Sequence, residues 1–62
     1  MSKRPFTIAI ESPELSNEFV YILHMENERD AISRAMVENN YRKRAIKLYF
    51  NGNQILFLEA PR

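Results

Sequence analysis

The sequence predicts a small α+β domain, a four-stranded antiparallel sheet in the order β-β-α-β-β with one helix packed on one face. Three observations carry this. Phe6, Ile8 and Ile10 alternate with Thr7, Ala9 and Glu11, Asn27 opens a stretch with helical periodicity, and Asn51-Gly52 separates two β-rich runs.

The first strand ends where Ser12-Pro13-Glu14-Leu15-Ser16-Asn17 collects turn formers, with Pro13 steering Ser12 away from helix. The second strand is expected from Glu18 to Met25, with Phe19, Tyr21, Leu23 and Met25 on one face and Val20, Ile22 and His24 on the other. Both faces are largely apolar. Asn27 reads as a helix N-cap, Asp30 stands three residues on, and Glu28 and Asp30 suit the positive end of the helix dipole. Ala31, Ile32, Ala35 and Met36 form the predicted inward stripe, and Asn39-Asn40 the predicted stop, with Tyr41 to Lys43 able to extend the last turn.

Ala45 to Phe50 and Gln54 to Glu59 are the last two strands. A two-residue Asn51-Gly52 turn puts Ile46 and Leu48 on one face with Ile55 and Phe57. A bulge in the hairpin shifts one strand by a residue and exchanges the faces of the last strand. The chain of 62 residues is read as a single domain, 1–62, with residues 1–4 and 60–62 as flexible tails. The competing arrangement frays the first strand and keeps only three.

Composition narrows the function. Ordering this many residues costs on the order of 90 kcal/mol at about 1.5 kcal/mol each, and small domains often add disulfides, metals or association. The absence of Cys removes disulfides, and a single histidine, His24, leaves no ligand set for a metal cage. No cofactor is expected. Nine Lys+Arg against eight Asp+Glu give a formal charge of +1, so no global field attracts nucleic acid or an anionic membrane. The apolar run after Lys3 and Arg4 stops at Glu11, too short for a signal peptide or membrane span, and a cytoplasmic location is the default.

No catalytic constellation is present, and the chain is read as a non-enzyme. The serines lack a nucleophile elbow, the single glycine, Gly52, rules out phosphate-cradling loops, and His24 alone is expected to be a strand residue with its ring partly covered. Glu26, Glu28 and Asp30 are placed for capping and not for paired acid-base chemistry.

A helix of about 13 residues, roughly 20 Å long, covers one face of a small sheet and leaves the other open. The uncovered face carries either Val20 and Ile22 or Phe19 and Tyr21 from the second strand, and either Leu56 and Leu58 or Ile55 and Phe57 from the last. Val20, Ile22 and Tyr49 are the candidate partner-binding residues of the sheet, and Tyr41, Arg42, Lys43 and Arg44 form a second candidate cluster. The leading expectation is a protein-binding module that occupies a partner surface or associates with itself. The first strand lacks Pro and Lys and is expected to be able to pair edge to edge into an eight-stranded homodimer sheet.

The alternative is single-stranded nucleic-acid binding by Tyr41 to Arg44, in which bases stack on the ring and the cations hold phosphate. The competing explanation of that run is dipole compensation at the end of a helix. The opening over residues 5–40 resembles in architecture many small prokaryotic and phage accessory proteins, some of which bind and inhibit host enzymes such as RNA polymerase. That likeness implies a regulator or inhibitor, and it transfers no individual residue.

Overall fold

The computed structural model describes residues 2–12 and 17–61, leaving most of the loop expected at 12–17 outside the described residues. The chain runs β1 (Arg4–Ser12), β2 (Asn17–Met25), α1 (Glu28–Arg42), β3 (Ile46–Phe50) and β4 (Asn53–Leu58). All four strands form one antiparallel sheet in the order β2-β1-β3-β4.

β1 is thus an interior strand. It pairs with β2 over nine positions, Arg4↔Met25 to Ser12↔Asn17, and with β3 from Thr7↔Tyr49 to Ile10↔Ile46. The Glu11 N–H, donating to the Ala45 carbonyl at 2.9 Å, extends the second seam. This corrects the expectation that β1 offers a free edge, and it removes the frayed three-stranded arrangement. The physical reason is apolar content: Phe6, Ile8, Ala9 and Ile10 are all buried, which requires neighbours on both sides. The edges are β2 and β4. Because β2 and β3 run parallel with β1 between them, their connection must cross the sheet, and α1 makes that crossing.

The core lies between α1 and one sheet face. Phe6, Ile8 and Ile10 of β1, Leu23 of β2 and Ile46 and Leu48 of β3 pack against Ala31 and Ala35 of the helix. Phe6 also stacks obliquely on Phe50, with ring centroids 4.8 Å apart. Each fully buried side chain of this size contributes about 1.5–3 kcal/mol of transfer free energy. The helix meets the sheet through alanines because short side chains let its backbone approach closely. Met36, expected in the inward stripe, is instead exposed, and Glu38 is buried.

The helix termini follow local chemistry. Asn27 has extended backbone and its Oδ1 accepts the Asp30 N–H at 2.9 Å, as the sequence predicts for an N-cap. The helix passes the predicted stop at Asn39-Asn40 and ends after Arg42. Lys43 then turns into the left-handed region at φ 59°, and its N–H donates to the Asn39 carbonyl.

The last hairpin combines both anticipated registers. Asn51 and Gly52 have φ values of 53° and 78°, the two positive angles of a primed two-residue turn, and Phe50↔Asn53 and Tyr49↔Gln54 close it. Beyond it Leu48 faces Leu56, leaving Ile55 as the extra residue of a bulge. The bulge brings both Ile55 and Leu56 against the core, and it exchanges the faces, so that Leu56 and Leu58 join Ile46 and Leu48 while Phe57 points away.

Two positive-φ positions give opposite expectations. An added Cβ at Gly52 meets nothing within 4 Å, so the cost of Gly52→Ala comes from the backbone alone, about 1 kcal/mol. Lys43→Gly relieves the same strain at the helix end and raises stability by about 0.5 kcal/mol. Urea midpoints shifted down and up respectively, at an unchanged slope, are the expected readout.

Candidate protein-binding face

The sheet face away from α1 can be read row by row from the strand pairing. One row crosses Val20, Ala9, Lys47 and Phe57, and the next crosses Ile22, Thr7, Tyr49 and Gln54. Outer strands of such a sheet lie about 14 Å apart. Val20 is 54% exposed, Ile22 57% and Phe57 48%, whereas Ala9 in the middle of the first row is buried. Tyr49 is half-buried.

At one end of this face β1 and β2 oppose Glu11 and Glu18 directly. Like charges placed so are destabilising. The Lys47 Nζ, 3.2 Å from the Glu18 carboxylate, offsets this by reaching over from β3. At the other end His24 lies opposite Pro5, and it is exposed, in contrast to the expected partly covered ring. It lies on the sheet face opposite α1.

The helix side is organised around Glu38. The Arg42 Nε donates to its Oε1 at 2.6 Å, the Arg34 Nε lies 3.4 Å from its Oε2, and the Tyr21 hydroxyl is close enough to feel the same carboxylate. The Arg42 hydrogen bond holds the carboxyl below its ordinary value, prevailing over burial, which pushes the other way. Burial, and then the nearby Glu38 charge, push the Tyr21 hydroxyl up. The Arg42 guanidinium also stands 5.9 Å from the Phe19 ring centroid, and that ring sits 5.5 Å from Tyr21.

The predicted residues therefore separate into two places. Val20, Ile22 and Tyr49 share the open sheet face. Tyr41, Arg42, Lys43 and Arg44 belong to the end of α1 and its exit, on the other side of the sheet. Arg42 is engaged by Glu38 and Phe19, Lys43 serves as the C-cap, and the Arg44 carbonyl accepts from the Asn39 Nδ2 at 2.9 Å. Tyr41 is 82% exposed. Sequence reasoning left the face of Phe57 open, because it depended on the bulge, and missed the Glu18–Lys47 pair, which needed the strand order. Among the described residues no group of His, Asp and Glu is disposed to hold a metal ion, and no helix is long and apolar enough to cross a membrane.

Glu38 makes a pH-dependent contribution to stability. Its folded carboxylate binds a proton more weakly than the unfolded one, so the contribution is complete above the ordinary value of 4.5 and is lost as pH falls through the lower folded value. Glu38→Gln is expected to cost about 1–3 kcal/mol at neutral pH, by weakening its hydrogen bond to Arg42 and removing its charge pairing with Arg34. Denaturation midpoints measured from pH 7 down to pH 3 should converge for wild type and variant at the acid end.

No family model, curated protein or solved structure matches the chain, so its function is argued from this surface.

Proposed function

We propose that the chain is a non-catalytic protein-binding module that acts by occupying the surface of a larger protein with its open sheet face. The observation that carries this is the half-exposure of Val20, Ile22 and Phe57 on the side the helix leaves bare, with Tyr49 between them. Single exposed apolar side chains are ordinary on any protein. Here they occupy two adjacent rows of one sheet, with Ala9, Thr7, Lys47 and Tyr49 between the outer strands, and this grouping on one face supports the reading.

The chemistry of the rim describes the partner. An apolar patch on the partner would meet Val20, Ile22 and Phe57, and a Lys or Arg at its border would pair with Glu11, beside which Glu18 already engages Lys47. Tyr49 supplies an aromatic anchor with a polar tip. The basic segment is less suited to phosphate, because the Arg42 guanidinium is already paired with Glu38 and stands by the Phe19 ring.

Paired baits test this. The wild-type chain and Met36→Lys, altered on the exposed helix surface, are expected to retain the same protein, whereas Ile22→Lys and Phe57→Lys lose it while keeping the wild-type circular dichroism spectrum. Equal retention by Ile22→Lys and Phe57→Lys would overturn the assignment of the face. Loss only on changing Tyr41 or Arg44, with a steep salt dependence, would transfer binding to the helix end.

A further inference from the structure

The β2 edge is built differently from the β4 edge. β4 is short, carries a bulge at Ile55 and begins Asn53-Gln54, features that discourage strand addition. β2 runs for nine residues, pairs with β1 at every one of them without a bulge, and contains neither Pro nor Lys. Its outer backbone groups are unpaired among the described residues, and exposed apolar side chains converge on it from both sides: Val20 and Ile22 from the open face, Phe19, 54% exposed, from the helix face.

We infer that β2 is a self-pairing edge and that two copies of this chain join there, antiparallel about a twofold axis at Tyr21, into one eight-stranded sheet. The register that pairs all nine residues is self-complementary. It sets Val20 against the partner's Ile22, Phe19 against the partner's Leu23, and Glu18 against the partner's His24, an acceptor facing a donor with no like charges opposed. The axis stands perpendicular to the sheet, so both helices lie on one side and both open faces on the other. On α1, Arg34, Val37 and Tyr41 fall on the flank near β2, since Arg34 and Glu38 surround Tyr21, and exposed Val37 and Tyr41 then flank the seam. The inference goes beyond the docking face, because the pairing is made by the outer backbone N–H and C=O groups of β2, whereas docking uses the side chains of the open face, Phe57 among them.

Sedimentation equilibrium across a concentration series, together with NOEs in a mixed-label sample, tests it. The expected results are a mass of twice the chain and a Phe19 Hα to Leu23 Hα contact between copies, because the Glu11 N–H points to β3, which turns the backbone N–H and C=O of Phe19, Tyr21 and Leu23 toward β1 and their Hα atoms outward. His24→Glu, which leaves the Glu18–Lys47 pair intact, should weaken the dimer about tenfold by opposing carboxylates across the seam, and adding Glu18→Lys should restore it. A wild-type monomer at millimolar concentration would overturn the inference, as would a dimer lacking the Phe19–Leu23 contact or indifferent to His24→Glu. A monomer that still loses its captured protein on Phe57→Lys would leave the docking face standing, so the two failures are distinguishable.

Discussion

A single helix with its side chains is about 10–12 Å wide, and four strands set their outer axes about 14 Å apart, so α1 cannot shield the sheet even on the side where it lies. This mismatch governs the distribution of burial. Phe6, Ile8, Ile10, Ile46 and Leu48, on the two interior strands, are fully enclosed. Phe19, on the same face but at the outer strand, is left half-exposed beneath only the guanidinium of Arg42. The opposite face has no covering element among the described residues, and there the interior strands present Ala9, Thr7, Lys47 and Tyr49 while the outer strands present Val20, Ile22 and Phe57.

A helix that meets the sheet through Ala31 and Ala35 approaches closely but buries little side-chain area of its own, and its position has to be fixed by other means. Polar contacts on its two flanks do this. Toward β2, Glu38 joins Arg42, Arg34 and Tyr21. Toward β4, the Asn39 Nδ2 donates to the carbonyls of Arg44 and Glu59, each at 2.9 Å, tying the helix to both the start of β3 and the end of β4. A buried carboxylate is costly unless its oxygens are satisfied, and here both are engaged. The same arrangement explains the departure from the predicted stripe. Apolarity alone favoured Met36 inside, but a helix seated closely on a sheet next to Tyr21 places its 35 and 38 positions inward, and Glu38 has partners there that Met36 would lack.

Features encoded by neighbouring residues were legible. Period-two alternation marked β1, a side chain that accepts from its own N3 amide marked the start of α1, and Asn51-Gly52 marked the turn. Features that depend on residues far apart were not. The order β2-β1-β3-β4 follows from β1 pairing on both sides, which no local pattern reports, and it moved the free edge from β1 to β2. The bulge at Ile55 lies in a run of Ile55, Leu56, Phe57 and Leu58, where every residue is apolar and alternation gives no parity. Alternation grouped Val20 with Ile22 and set Tyr49 opposite Ile46 and Leu48, but which apolar face of β2 the helix covers was open until the pairing of β2 with β1 fixed it. The basic run was read as one cluster, yet a helix end splits it: Arg42 points back one turn to Glu38 and Lys43 bends into the cap.

The open face and the β2 edge are consequences of the same shortage of cover, and they meet at Val20 and Ile22. Pairing through the edge leaves these side chains facing outward while bringing four of them, two from each copy, side by side across the seam. The apolar patch thereby doubles in extent without a change in any single contact. A partner that touches one open face weakly gains a second, identical site on the same rigid sheet, and the effective concentration of the second contact is then set by sheet geometry and not by diffusion. In the proposed dimer, edge pairing and face docking would reinforce one another, and a domain with one helix would hold a partner more tightly as two copies than the area of either face alone allows.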